Sequence, residues 1–195
     1  MKQKIILIGG GGHCKSVIDV IEQEDKYEIA GIVDLKEKNG QNILGYPIIA
    51  SDEDLPELVK EYTNFHITMG FIKNPTRRKQ ILEILKKTKA VLPVIVSPIA
   101  YVSKHARIAA GTVIMHNAQV NAGATIGENC IINSRALIEH DANVGDNCHI
   151  STGAIINGDV TVGNECFVGS GAVTVQGTKI PDGSFIKANS LFFRR

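Results

Sequence analysis

The sequence contains no tryptophan, and aromatic residues make up only 5% of its 195 positions. A surface that stacks nucleobases needs several aromatic faces, so single-stranded nucleic acid is a poor partner for this chain. An excess of charge of one sign is also missing. Lys and Arg total 21 against 20 Asp and Glu. The balance holds in both parts, with 14 against 13 over residues 1–95 and 7 against 7 over 96–195. Such a mixture builds no basic face for a phosphate backbone, which sets nucleic acid aside more generally. Long apolar runs are lacking too. No stretch reaches the ~18 residues of a membrane span, and Ile5–Ile8 is too short for a signal-peptide core. A soluble cytoplasmic protein with no membrane insertion is expected. Of the four cysteines, Cys130, Cys148 and Cys166 are widely and evenly spaced, unlike any CxxC metal or redox motif.

What is present divides into two rhythms. Over residues 1–95, Lys4–Gly9, Tyr27–Asp34, Phe65–Gly70 and Ala90–Ile95 read as strands. Ser16–Glu24, Asp52–Tyr62 and Pro75–Lys87 read as helices, the first with Val17, Val20 and Ile21 on one stripe. This alternation predicts an α/β domain with a parallel sheet. Ligands of such sheets bind beyond the carboxyl ends of the strands, where Gly9–His13, Asp34 and Gly70 fall.

From residue 96 to 195 the period becomes six. Every sixth residue from Val96 to Phe192 is apolar in 16 of 17 cases, with Thr174 the exception. Four residues further on, from Ala100 to Ser190, nothing larger than valine occurs. The residue between them, from Ile99 to Asn189, is Gly, Asn or Asp in 12 of 16 cases, the types that tolerate a left-handed corner. This is the pattern of a parallel β-helix whose coil has three short sides, one hexapeptide to a side. Cys130, Cys148 and Cys166 are then separated by one full coil each and stack as small buried fillers. A prism of this length commonly buries a face against symmetry mates, and a homotrimer is expected.

Two stretches could carry chemistry. Ile6–Asp19 is glycine-rich between a strand and a helix, so its backbone N–H groups suit an anion. As a dinucleotide fingerprint it is imperfect, because the third glycine position holds Cys14. His13 either touches a ligand or caps the helix. The second stretch is Glu139-His140-Asp141, at a predicted corner just after the inward Ile138. There a carboxylate could hold the imidazole in one tautomer and make it a base, or the three residues could form one more solvated corner. The remaining histidines, His66, His105, His116 and His149, show no H-x4-H spacing of the kind that holds zinc between β-helix subunits, so no metal is expected.

The combination of Gly-Gly-His13-Cys-Lys-Ser-Val-Ile-Asp, a strand ending Ile-Val-Asp34, the segment from Ile43 to Ile49 and a hexapeptide helix containing Ile-Glu-His140-Asp resembles the sugar O- and N-acyltransferases. That family includes the bacillosamine-pathway acetyltransferase, perosamine and viosamine N-acetyltransferases, and sialic acid O-acetyltransferases. The resemblance implies a Rossmann-like N-terminal domain that binds a nucleotide-sugar, followed by a left-handed β-helix. It implies acetyl-CoA as co-substrate, no permanently bound cofactor, and active sites between the subunits of the trimer. Gly11, Gly12 and His13, with Asp34 and Gly70, would hold the sugar nucleotide, and Asn133 would sit near the reacting amine. His140 would be the base and Asp141 its partner. His149 and Gly158 would approach the thioester, and Gly169 and Ser170 would line the pantetheine path. The family's closing G-x-P-A segment is not seen after Ile186, and Lys187, Arg194 or Arg195 would take its place on the CoA phosphates. The implied reaction is N-acetylation of a nucleotide-linked 4-amino-4,6-dideoxy sugar for bacterial surface glycans. O-acetylation of a sialic-acid-like sugar and a non-catalytic scaffold are the alternatives.

Overall fold

Ile5, Ile6, Leu7 and Ile8 are all completely buried, which a strand achieves only when both faces of its sheet are covered. They form most of β1 (Gln3–Ile8), which pairs in parallel with β2 (Tyr27–Val33) on one side and β5 (Asn64–Ile67) on the other. Beyond β2 lie β4 (Tyr46–Ala50), also parallel, and the short antiparallel β3 (Asn42–Ile43), giving the order β3-β4-β2-β1-β5. Helices α1 (Gly12–Glu24), α2 (Leu55–Glu61) and α3 (Thr76–Lys86) complete this α/β unit. The structure, a computed structural model, describes residues 2–193. It separates into two units, Met1–Gly70 with Thr76–Pro93, and Phe71–Pro75 with Val94–Arg195.

Three local differences from the sequence reading have physical causes. The first helix begins at Gly12 rather than Ser16, since Gly11 already adopts the extended conformation of an N-cap. The hairpin of β3 and β4 turns on Leu44 and Gly45, both with positive φ (49° and 91°). That turn usually takes Asn-Gly, so a leucine in its first position conceals it. Residues 90–95, read as one strand, are divided. Val91 makes a single parallel bridge to Asn64, while Ile95 and Val96 are the first rung of the β-helix.

That left-handed β-helix consists of two-residue strands from Ile95–Val96 to Leu191–Phe192, stacked in parallel sheets of six, five and six strands. Each strand sends one side chain inward and one outward. The inward column, from Ile114 through Val120, Ile126, Ile132 and Ile138 to Ile186, forms one continuous core. The outward residues distinguish the faces. One face carries Arg107, Thr125, Asn143, Thr161 and Lys179. A second carries Tyr101, Gln119, Leu137, Ile155, Val173 and Leu191, and the third Ile95, Val113, Ile131, His149, Phe167 and Phe185.

The corners explain the Gly/Asn/Asp column. From Gly111 to Asn189 every sixth residue has positive φ, including Arg135 (60°) and Glu165 (60°), which are not habitual left-handed residues. The repeat imposes the conformation even where the side chain disfavours it.

The cysteines do more than fill space. Cys148 N–H donates to Cys130 Sγ (3.3 Å) and Cys166 N–H to Cys148 Sγ (3.4 Å). Each thiol in turn donates to a carbonyl 15 residues on: Gly145, Gly163 and Pro181. Thr112 does the same one coil earlier, accepting from Cys130 N–H and donating to Gly127. The column is therefore a hydrogen-bonded ladder that uses –SH or –OH interchangeably.

Candidate active site

His140 lies at the corner between the apolar face that includes Leu137 and Ile155 and the polar face that includes Asn143. Asp141, the next residue, has φ of 61°. The left-handed turn swings two consecutive side chains toward each other, and His140 Nδ1 meets Asp141 Oδ2 at 2.9 Å. A carboxylate only accepts, so Nδ1 carries a proton, and in the neutral imidazole Nε2 is the nitrogen that keeps its lone pair. The hydrogen bond to Asp141, aided by the charges of Asp141, Glu139 and Asp159, holds the imidazole above its ordinary pKa. Glu139 is occupied elsewhere, accepting from Asn121 Nδ2 (2.8 Å) and from His140 N–H (3.2 Å).

Two glycines make room for this dyad, one coil below and one above. A Cβ on Gly123 would stand 2.3 Å from Asp141 Oδ1, and a Cβ on Gly158 would stand 2.7 Å from His140 Nε2. The imidazole thus lies directly over the Gly158 backbone. Gly123 precedes the acid by one full coil and Gly158 follows the histidine by one, a relation visible in the sequence once the coil length is known.

A second cluster occupies the face that includes Phe167. His149 is 7% exposed, and both ring nitrogens are engaged, Nδ1 with the Phe71 carbonyl (2.7 Å) and Nε2 with Asn133 Nδ2 (3.1 Å). Since a carbonyl only accepts, His149 is the neutral Nδ1–H tautomer. Asn133 is oriented by Ser134 N–H, which donates to its Oδ1 (2.8 Å). The rings of Phe71, His149, Phe167 and Phe185 continue the cluster as edge-on and stacked contacts. One coil on, Ser170 hydroxyl pairs with Ser151 (2.9 Å). A Cβ on Gly169 would strike Ala188 N at 2.5 Å, so that glycine serves coil stacking. Lys187 is exposed at the next corner, while Arg194 and Arg195 lie outside the described residues. Within one chain the dyad and the His149–Asn133 cluster belong to different edges of the prism.

In the α/β unit the loop after β1 is shaped for close approach. Gly9 (φ 104°) has no room for a side chain against Met69, and Gly10 none against Ile43 and Asp34. Nothing stands within 4 Å of a Cβ on Gly11 or Gly12, so the N-terminus of α1 opens outward. Asp34 Oδ2 accepts from Gly10 N–H (3.0 Å) and Lys38 Nζ (3.0 Å), and Oδ1 accepts from Leu35 N–H (2.7 Å). Partial burial would raise this carboxyl, but those donors together hold it below its usual range. His13 sits beside Gly70, whose added Cβ would lie 3.4 Å from His13 Cβ. Behind them Cys14 is buried, and its thiol is pushed up to about 11, which leaves it unreactive. His66 is also fully buried, and that burial pushes it down to about 3, so it is a neutral core residue. Among the described residues no group of three or more His, Cys, Asp or Glu is placed to hold a metal ion, and no helix is long and apolar enough to cross a membrane.

Residues 4–85 match the family of the PglD N-terminal domain. Residues 105–140 and 141–176 each match the bacterial transferase hexapeptide family of six repeats. No curated protein sequence matches the chain. Among solved structures, the acetyltransferase domain of PglB from Neisseria gonorrhoeae is 31% identical, with a TM-score of 0.90 and coverage of 98% of this chain and 91% of that one. The same domain in complex with acetyl coenzyme A superposes with a TM-score of 0.87 at 31% identity, over 97% and 90% of the two chains. A histidine-to-asparagine mutant of perosamine N-acetyltransferase from Caulobacter crescentus, in complex with CoA and GDP-perosamine, is 28% identical with a TM-score of 0.91, over 98% and 89%. The glycine loop, the six-residue repeat and the histidine corner are thus parts of one architecture, and the chain belongs to the left-handed β-helix acetyltransferases that carry a PglD N-terminal domain.

Proposed function

We propose that this protein transfers the acetyl group of acetyl-CoA directly to the amine of a nucleotide-linked amino sugar of the 4-amino-4,6-dideoxy type, with His140 as general base. The observation that carries this reading is the His140–Asp141 dyad, in which Asp141 holds Nδ1 and Nε2 lies over Gly158. As the amine attacks the thioester carbonyl, its proton passes to His140 Nε2. Asp141 stabilises the imidazolium that results. The carbonyl oxygen, now an oxyanion, takes a hydrogen bond from Gly158 N–H, a kind of contact worth roughly 3–4 kcal/mol in comparable sites. The C–S bond then breaks, and the CoA thiolate recovers the proton from Nε2. No acyl-enzyme forms, and the buried cysteines take no part.

Gly11, Gly12, His13, Asp34 and Gly70 are the proposed sugar-nucleotide contacts. The open N-terminus of α1 suits a diphosphate, and the Asp34 carboxylate suits hydroxyl or N–H donors. Asn133 is the proposed neighbour of the acceptor amine. The cluster of His149, Gly169, Ser170 and Lys187 is the proposed donor side. The dyad side chains remain 58% and 68% exposed in one chain, so the chain itself does not enclose them. The column with exposed Tyr101 and Leu191 and half-buried Leu137, Ile155 and Val173 is the apolar face available for self-association. A cyclic trimer, one copy's dyad edge against the next copy's His149 edge, would complete each site. The test is release of CoA thiol with GDP- and UDP-linked 4-amino-4,6-dideoxy sugars against a sialic-acid-like acceptor. Acetylation of the hydroxyl substrate alone would replace the amine reading.

A further inference from the structure

Thr174 is the one polar member of the inward column and is completely buried. Its consequences fall on the corner that faces His140. At this bend the residue after each inward side chain normally donates its N–H to the carbonyl one coil up. Asn121 donates to Ile138 (2.9 Å), Glu139 to Ile156 (2.9 Å) and Val175 to Phe192 (3.0 Å). Asn157 breaks the rule. Its N–H goes to Thr174 Oγ1 (3.0 Å), and its side-chain Nδ2 takes the Thr174 carbonyl instead (2.6 Å). The hydroxyl hydrogen turns to the Ile155 carbonyl (3.4 Å). The strand pairing shows the same gap, since this rung keeps Ile155 opposite Val173 alone.

The exchange changes the next residue. At two other corners the middle N–H is capped by the side chain just before it. Ser134 N–H is held by Asn133 Oδ1 (2.8 Å) and His140 N–H by Glu139 Oε2 (3.2 Å). Gly158 also follows an asparagine, but Asn157 has its amide drawn away to Thr174. Asp159 N–H is used by the His140 carbonyl, and Gly158 N–H is left with no acceptor among the described residues. It is the same glycine against which the His140 ring rests.

We propose that Thr174 and Asn157 are a positioning pair that keeps the Gly158 N–H uncapped, as the donor for the acyl oxygen of the thioester. The proposal deepens the acetyl-transfer reading above and rests on it. Neither side chain touches substrate; both act through the main chain of Gly158. The hydroxyl is the controlling element. Without it, Asn157 N–H returns to the residue-174 carbonyl, as in the neighbouring coils. The displaced asparagine side chain then adopts the geometry of Asn133 and caps Gly158 with its Oδ1.

Thr174→Val is nearly isosteric and restores the apolar column. Its kcat should fall roughly 10²-fold, the scale for loss of one oxyanion donor, with KM for acetyl-CoA changed less than about two-fold and no fall in unfolding temperature. The double variant Asn157→Ala/Thr174→Val removes the side chain that would do the capping. It should regain at least about ten-fold of that loss, and Thr174→Ser should stay near wild type. A purely structural role makes the double variant worse than the single. Unchanged kcat in Thr174→Val, or a double variant no better than the single, overturns the pair. The Gly158 amide resonance provides a reading without substrate. It should exchange with solvent readily in the wild type and become protected in Thr174→Val. Identical Gly158 amides in the two proteins sink the proposal whatever the activity. Full activity in His140→Ala would instead remove the acetyl-transfer reading, leaving the amide experiment to judge the pair separately.

Discussion

The glycine loop after β1 and the corner at His140 make opposite use of glycine. In the loop, Gly9 and Gly10 let the chain's own parts close in, and Gly11 and Gly12 leave empty space. The result is a half-buried loop with an open helix N-terminus, in which Asp34 is already tied to three donors. At the corner, Gly123 and Gly158 are filled by the dyad's own side chains, and the dyad stands on an open surface. A repeat places a catalytic pair accurately but cannot wrap it. An α/β loop wraps a ligand but offers no such ruler. In the proposed function, binding and reaction call on different physical resources in the two units, and substitutions should separate them.

The largest effect is expected at the corner. His140→Ala removes the proposed base and should lower kcat by roughly 10²–10⁴-fold while the melting temperature changes little, because the side chain is more than half exposed. Steady-state CoA release and calorimetry on the same preparation check this. Gly158→Ala forces the imidazole off its seat and should come next. A kcat loss of at least about ten-fold is expected, with nucleotide-sugar affinity retained. Equal losses in kcat and in sugar binding would show that corner and loop are not separable.

Asp141→Asn sharpens the comparison through pH. The proposed base works unprotonated, so kcat/KM should rise with pH through the His140 pKa, which Asp141 holds above normal. Removing that charge should move the acid limb of the profile to lower pH and reduce the plateau, by about ten-fold or more. A limb that stays in place would mean that another group sets it. In the loop, Gly11→Ala enters open space but replaces the helix N-cap, so folding stability should fall by about 1 kcal/mol or less. The nucleotide-sugar KM should rise while kcat with saturating sugar holds, since a methyl group crowds the proposed anion seat. Smallest of all is Cys148→Ser. A hydroxyl can take over the ladder's donor and acceptor roles, so a cost under about 1 kcal/mol by denaturant titration is expected.

Much of this was legible in the residues. The six-residue period located the inward column and the corners, and the Gly/Asn/Asp bias marked where φ turns positive. Most of what the residues do not show shares one cause: it depends on partners a coil away. Thr174 read as a blemish in an apolar series, because its hydroxyl acquires meaning only opposite Asn157. The cysteines read as inert filler, because their acceptors are carbonyls 15 residues on. Gly123 reads as an ordinary turn residue, and Gly158 stands out only through the family resemblance, until the coil length pairs them with Asp141 and His140. The β3–β4 hairpin was hidden differently, by a leucine held in a left-handed turn.

The third corner shows what such coil-to-coil dependence means for building the protein. Glu128 N–H waits for Asp146 Oδ1, Asp146 N–H for Asn164 Oδ1, and Asn164 N–H for Asp182 Oδ1 (2.7–2.8 Å). At these three residues the backbone N–H of one coil is finished by the next. A chain emerging amino-end first would thus carry one set of open donors at its growing tip, moved forward each time another coil is laid down. Removing a whole number of coils relocates that tip without multiplying it. Cutting within a coil leaves strands with no roof, so the protein should tolerate length changes only in multiples of its own thread.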